Sequence, residues 1–336
     1  MLYWPRLKEA LLNYLICPNC EGALDLSVSK AEAGEIMEGE LRCQSCARLF
    51  PVTSGIPRFA KLDEIESDKR ATAAGFGWQW QHFTQEDERY AEQFLGWIAP
   101  STPEFFRDKV VLEAGCGKGR HTQLAARWRA RDVIGIDLSA AVETAFAATR
   151  SLPNAHIVQA DIYHLPLARK FDYAFSVGVL HHLPDPRGGF LSMASRVKPG
   201  GYVSAWIYGA ENNEWITRLV NPVREKVTSR IDRRVLLQLS KLPAACVYLA
   251  TKLVYGPLNR NGSSLAKRLF YNDYLSAISS FGWREQHTIV FDHLVAPTAY
   301  YIPREEFEAW WREIDARDVQ IGWHNKNSWR GRGIVN

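Results

Sequence analysis

Val110 to Thr122 reads VVLEAGCGKGRHT. An apolar run, Val110 to Leu112, ends at Glu113; glycines follow at 115, 117 and 119, and a helix-compatible stretch from His121 to Arg129 comes next. The pattern predicts a strand, a glycine loop and a helix. Glycine suits a sharp turn after a strand, and a place where a ligand must approach main-chain N–H groups without a Cβ in the way. The dinucleotide fingerprint G-x-G-x-x-G does not fit, because its third glycine would fall at Arg120, one residue later than Gly119. Glu113 points the same way. A carboxylate at the mouth of the loop repels a pyrophosphate and favours a ligand that carries a sulfonium and an ammonium.

Four more stretches follow in order. VIGIDLS (Val133 to Ser139) reads as a second strand ending in Asp137, 18 residues past Gly119, and HIVQADIYHLP (His156 to Pro166) as a third ending at Asp161. FDYAFSVGVLHHLPDP (Phe171 to Pro186) and VKPGGYVSAWIY (Val197 to Tyr208) read as the fourth and fifth. Taken with Glu-Ala-Gly-Cys-Gly-Lys-Gly, the set resembles the class I S-adenosylmethionine-dependent methyltransferases over Phe76 to Tyr208. The resemblance implies an α/β fold: a Rossmann-like sheet of seven strands closed by an antiparallel hairpin, here Val319 to His324 and Trp329 to Val335. It also implies S-adenosylmethionine as cofactor, held by Glu113, Gly115, Gly117 and Gly119, with Asp137 on the ribose hydroxyls and Asp161 on the adenine amino group. Leu138, Ile162 and Ser176 are further implied contacts. Asp137 and Asp161 also stand at strand-to-helix junctions, where Asp commonly serves as an N-cap.

The chain of 336 residues is long enough for one large domain and a smaller one. A hydrophobic content of 46 % and a charged content of 23 % are those of a folded soluble protein, and a net charge of +4 does not by itself announce a nucleic-acid binder. Arg6, Lys8 and Glu9 interrupt the first apolar residues, so no secretory signal is read, and no apolar run is long enough to span a bilayer. The expected compartment is the cytoplasm. Four of the six cysteines form two C-x2-C pairs, Cys17/Cys20 and Cys43/Cys46, separated by 22 residues. In a reducing compartment this spacing predicts a four-thiolate zinc site. A site saturated by thiolates leaves no position for water, so the zinc is structural. The flanking pattern, with helix-compatible Arg6 to Ile16 before it and Gly55-Ile56-Pro57 closing it, resembles the Trm112-like zinc-ribbon family. In that family a small zinc protein binds and supports a methyltransferase partner; here the two are fused.

Lys61 to Ala74 reads as a linker or solvated helix, and GFGWQWQHF (Gly75 to Phe83) breaks that pattern with two glycines. The stretch resembles a Phe-Gly-aromatic-x-Trp segment that precedes the glycine motif in a bacterial branch of these methyltransferases, which implies Trp78, Gln79 and Trp80 as candidates to close over the cofactor or substrate, with core packing as the rival reading. Methyl transfer is an in-line displacement with a good leaving group, so the protein mainly positions the nucleophile and, where needed, takes its proton. His181, at the carboxyl end of the fourth strand, and His293 are the two candidate bases; packing under their loops is the alternative for each. The Asn-Pro-Pro-Tyr type of motif that related enzymes use for amide or exocyclic amino nitrogens is missing at Ser176 to Val179, and the resemblance thus disfavours those acceptors. With the zinc ligands set aside only Cys116 and Cys246 remain, which disfavours a covalent thiol route.

From Arg218 to Phe270 there are eleven Lys or Arg and two acids, a local charge of +9. This helix-compatible stretch reads as an insertion: a solvated basic lid, a surface for an anionic partner such as RNA, or an interfacial surface for lipid-like substrates. The expected organisation is a zinc ribbon over 1–60, a linker and first helices over 61–100, and the catalytic domain over 101–336 with its basic insertion at 209–270. The expected function is methylation of a small-molecule or biosynthetic intermediate at oxygen, nitrogen or activated carbon. The alternatives are methylation of tRNA or rRNA and a non-catalytic cofactor-binding module. The partners expected are thus a small-molecule acceptor, with RNA or a membrane surface as the other options.

Overall fold

The computed structural model describes residues 9–32, 35–60, 65–84 and 87–336. A short helix α1 (Glu9–Leu12) leads into strands β1 (Leu24–Glu32), β2 (Glu35–Cys43), β3 (Leu49–Thr53) and β4 (Ile56–Pro57). They form one antiparallel sheet in that order. This small sheet cannot fill a core of its own. Its Leu11, Leu15, Leu41, Phe50 and Val52 are instead buried in the same apolar cluster as the strands of the large sheet. The junction is also tied by hydrogen bonds: Ile16 N donates to Pro166 O (3.0 Å), Phe59 N to Gln159 O (2.8 Å), and the Tyr14 hydroxyl to Asp132 Oδ2 (2.8 Å).

Helix α2 (Ser67–His82) follows, then α3 (Arg89–Trp97). The sequence suggests a break at Gly75, but α2 runs on through Gly75 and Gly77 to His82. Each glycine costs a helix about 1 kcal/mol relative to alanine. Here they allow close approach: a Cβ on Gly77 would stand 3.2 Å from Ser139 Cβ, and one on Gly75 would stand 3.6 Å from Val295 O. Tertiary packing therefore overrides the local preference.

The large sheet opens with β5 (Val110–Ala114), followed by α4 (Arg120–Arg127), β6 (Asp132–Asp137), α5 (Ala141–Thr149), β7 (Ala155–Gln159), β8 (Phe171–Val177), α6 (Pro186–Ala194) and β9 (Val197–Tyr208). These five strands are mutually parallel. Strand β5 shows why its run is apolar but for Glu113. Val110, Leu112 and Ala114 point into the cluster shared with the small sheet, while Val111 points into a second cluster with Phe94, Ala125 and Tyr173. Both faces are covered, so no position is left for a polar side chain to reach water.

A run of helices then packs over the carboxyl ends of the strands: α7 (Asn221–Lys226), α8 (Arg233–Leu239), α9 (Lys241–Ala250), α10 (Gly256–Arg260), α11 (Asn272–Ile278) and α12 (Trp283–Val295). The run does not stop at Phe270. Helix α12 is its centre, and α7, α8 and α9 pack against it. Helix α13 (Arg304–Glu313) starts directly after Pro303, and β10 (Arg317–His324) and β11 (Ser328–Ile334) form the closing hairpin. The sheet order is β10-β11-β9-β8-β5-β6-β7, with β11 antiparallel to both neighbours. Among the described residues no helix is long and apolar enough to cross a membrane.

Trp311 of α13 lies buried over the hairpin, where a Cβ on Gly331 would stand only 2.5 Å from its ring. It also contacts Phe190 and Phe307. Trp311→Ala leaves a cavity that backbone cannot fill, so denaturant unfolding should show a loss of about 3–5 kcal/mol.

Candidate active site and zinc centre

The two cysteine pairs fold into matching turns. Glu21 N donates to Cys17 O (2.9 Å) and Ala47 N to Cys43 O (3.0 Å), and both Glu21 and Ala47 take the left-handed conformation, at φ 56° and 58°. All four sulfurs lie within 4.8 Å of one another, with 3.6 Å between Cys17 and Cys46 and 3.4 Å between Cys20 and Cys43. Tetrahedral zinc at about 2.3 Å from each sulfur needs sulfurs roughly 3.8 Å apart. The donor set therefore fits a zinc ion, with four thiolates and, among the described residues, no fifth ligand group. Cys17 and Cys43 are buried beside Leu11 and Leu41, which ties ligand geometry to the shared apolar core.

At the carboxyl end of β5 the chain turns through Gly115, Gly117 and Gly119, all in the left-handed region at φ 86°, 51° and 81°. Gly115 N and Cys116 N donate to Ile136 O (2.7 and 2.8 Å), and Gly117 N donates to Asp137 Oδ2 (2.9 Å). The other carboxylate oxygen of Asp137 accepts from Ser139 N (2.8 Å) and Ser139 Oγ (2.6 Å). Asp137 thus braces the loop while lining the cavity in front of it. Helix α2 closes over the loop: a Cβ on Gly117 would stand 3.0 Å from Trp80 Nε1, and Lys118 Nζ donates to Phe83 O (2.9 Å).

Some of the residues singled out in the sequence reach this cavity and others do not. Gly115, Gly117, Asp137, Leu138 and Ile162 line it, as do Gln79, Trp80 and His293. Gly119, as the residue preceding α4, stands against Ala145 instead. Glu113 is buried and turned into the start of α4, where its carboxylate accepts from Thr122 Oγ1 and pairs with His121 Nδ1 (3.0 Å). Ser176 is buried and donates to Ala114 O (2.8 Å), locking β8 to β5. Trp78 stacks on His82 and packs against Phe291.

Asp161 is occupied from within the protein. It accepts from Tyr163 N (2.9 Å), the capping geometry that was its second reading, and is ion-paired with Lys69 of α2. Lys69 itself lines the cavity, and burial holds its ammonium below the usual lysine range. The sequence contains no signal for this pair, whose partners are 92 residues apart.

Beyond the glycine loop the cavity, about 660 Å³ in volume, widens into an aromatic chamber. Trp206 and Tyr208 of β9, Tyr271 and Tyr274 near α11, and Asp292 and His293 of α12 form its walls. His181 departs from its expected role as a base. It is fully buried, stacks on Tyr208 at 3.8 Å between ring centroids, and is not part of the lining. Burial holds its imidazole neutral, and its Nδ1 accepts from Tyr208 N at 3.3 Å, which spends the lone pair a base would need. The neighbouring His182 does line the cavity, with Nδ1 2.7 Å from Thr298 O. His293 lines it too, but burial lowers its pKa to about 4. Asp292 is pushed the other way, up to about 6, also by burial. Gln79 Nε2 donates to Asp292 Oδ1 (3.0 Å), and the buried Gln79 Oε1 has no partner among the described residues.

Residues 112–205 match the family model for a methyltransferase domain, and residues 8–55 match that for Trm112p-like proteins. The chain joins a Trm112p-like module to a methyltransferase domain. Two similar proteins are the tRNA U34 carboxymethyltransferases of Tolumonas auensis, 34 % identical over 59 % of this chain and 55 % of that protein, and of Shewanella sediminis, 27 % identical over 57 % and 54 %. The chain thus spans about half the length of these relatives. Among solved structures, a complex of the Haloferax volcanii Trm112 methyltransferase activator with a methyltransferase matches 81 % of this chain and 98 % of that chain, at a TM-score of 0.44 and 13 % identity. A methyltransferase from Mesorhizobium loti matches 32 % of this chain and 54 % of that one, at a TM-score of 0.29 and 25 % identity. The methyltransferase domain holds the glycine loop and Asp137, and the Trm112p-like module holds the four thiols.

Because the Cys17 and Cys43 sulfurs sit inside the shared core, metal loss should be felt as unfolding rather than as a lost chemical step. Metal analysis of the purified chain should show stoichiometric zinc. Cys43→Ser should lose the metal and lower the melting temperature by several degrees.

Proposed function

We propose that the chain transfers a methyl group from S-adenosylmethionine to a base of an RNA, and of a tRNA in particular. The observation that carries this reading is the single cavity, which has the glycine loop and Asp137 at one end and an aromatic chamber at the other. Its first part suits the cofactor. Gly115 and Gly117 line the end of the cavity that a methionine moiety would occupy, Asp137 offers a carboxylate to ribose hydroxyls, and Leu138 and Ile162 offer apolar flanks to adenine. Since Asp161 is paired with Lys69, its part in this reading is to set the wall on which adenine rests.

The chamber suits a flat, hydrogen-bonding acceptor such as a nucleobase turned out of its strand, because stacking faces and polar groups converge there. The relatives named as tRNA U34 carboxymethyltransferases support an RNA acceptor over the small-molecule acceptor expected from the sequence alone. When bound, S-adenosylmethionine supplies an electrophilic methyl group on a good leaving group. The chain's own residues then have to exclude water, align the acceptor and take a proton where one is released. Asp292 fits the last task best. Its carboxyl, raised to about 6, is ionised at neutral pH yet basic enough to accept a proton, whereas His293 titrates near 4.

Incubation with methyl-labelled S-adenosylmethionine and total tRNA should place label in the RNA. Label that enters only small molecules of a cell extract would overturn the RNA reading. Asp137→Ala should weaken binding of S-adenosylmethionine at least tenfold in calorimetry. The transfer rate should fall as pH drops through about 6, where Asp292 gains its proton, and Asp292→Asn should be slow and flat over the same range.

A further inference from the structure

Helices α8 and α9 run almost end to end, joined at Ser240 with helical dihedrals of −65° and −15°, and a wider helical turn, Thr251–Tyr255, continues α9. One side of the pair is committed to α12. Leu236, Ser240, Ala244 and Thr251 are buried there, with Ser240 Oγ 2.8 Å from His287 Nε2 and Thr251 Oγ1 donating to Gln286 Oε1 at 2.9 Å. The other side carries a second apolar stripe that no described residue covers. Val235, Leu239, Leu242, Leu249 and Leu253 are 51 %, 57 %, 74 %, 54 % and 70 % exposed, and they follow helical spacing, with exposed Cys246 filling the gap. Leu219 and Val223 before the pair, and Leu265 and Phe270 after it, are exposed as well. Of the seventeen exposed large apolar side chains among the described residues, eleven lie between 219 and 270. The surface liability is therefore local, and a patch of this kind marks an interaction site.

Its charge says what it meets. The segment from Arg218 to Phe270 carries +9 in a chain whose total is +4, so the remainder of the chain is net acidic. Exposed Arg230, Arg234, Lys241, Arg260, Lys267 and Arg268 interleave with the leucines, and no ion pair among the described residues takes any of them. A second copy of the chain would bring the same positive face and be repelled. An RNA would satisfy the basic groups but not the leucines, which have neither hydrogen-bonding groups nor stacking faces. A bilayer with anionic headgroups satisfies both. The aliphatic side chains enter the acyl boundary and the cationic ones stay among the phosphates.

We propose that the face built by residues 216–270 docks on an anionic lipid bilayer. The inner side of α12 carries Thr288, Ile289, Asp292 and His293 into the cavity, and its outer side rests on α8 and α9. Docking therefore places the cavity one helical layer from the membrane. The proposal is independent of the acceptor assigned above, and transfer to tRNA in solution neither supports nor opposes it.

Flotation of the full chain with vesicles tests it, comparing phosphatidylcholine alone with three parts phosphatidylcholine to one part phosphatidylglycerol. The chain should float with the anionic vesicles and at least tenfold less with the neutral ones. A Leu242→Glu/Leu249→Glu/Leu253→Glu variant that melts like the parent should lose at least tenfold in vesicle binding. Leu253→Gln alone, the gentler exchange, should lose several-fold. The proposal is overturned if the parent stays with the soluble fraction, if the leucine variants float unchanged, or if they lose tRNA binding in a gel shift as steeply as they lose vesicles.

Discussion

The carboxylate of Asp137, bonded to Gly117 N on one side and to Ser139 on the other, is the constraint on which the rest of the site depends. It lies at the end of β6, while the loop it holds comes off β5, so pairing of these two parallel strands brings anchor and loop together. The glycines accept left-handed backbone at little cost, and the Ile136 carbonyl takes two of the loop's N–H groups. Strand order reverses at β5, with β6 and β7 to one side and β8 and β9 to the other. Ligands of open α/β sheets sit at such a point, outside the carboxyl ends of the strands, and the cavity is found there.

The second constraint is the shared core. The N-terminal module with its four thiols contributes Leu11, Leu15, Leu41 and Phe50 to the same cluster as Val110 and Leu112 of β5. The β7 edge would otherwise present unpaired backbone, but Arg58 bridges to Gln159 there. The cysteine centre is in this way coupled to the strand that launches the glycine loop. A zinc ion held by these thiols would stabilise the foundation of the cofactor site without touching it.

Two groups of residues show what was legible. Cys17, Cys20, Cys43 and Cys46 could be paired on spacing because each C-x2-C turn is local and thiols at that spacing serve one chemistry in a reducing compartment. The strands from Val110 to Tyr208 were legible because burial on both faces makes their runs mostly apolar, with polar residues such as Glu113 and Ser176 held by internal hydrogen bonds. Asp161 shows the opposite. The family resemblance implied a ligand contact there, but its partner Lys69 lies on a helix whose pattern the sequence breaks at Gly75. His181 shows it again, since the turn after β8 sends the first histidine under Tyr208 and leaves the second facing the cavity.

The sequence by itself determined the parallel strands, the glycine loop and its acid, the thiol cluster and the excess of positive charge in one helical run. All of these rest on periodicity, composition or short motifs in which each turn or strand end is local, where backbone geometry limits the options. Only the tertiary structure decided which polar groups share a space. Gln79 and Asp292 meet across 213 residues, and Lys69 occupies Asp161 across 92. It also decided which apolar stripe of α8 and α9 packs on α12 and which is left bare, because both stripes obey the same helical period and burial alone distinguishes them.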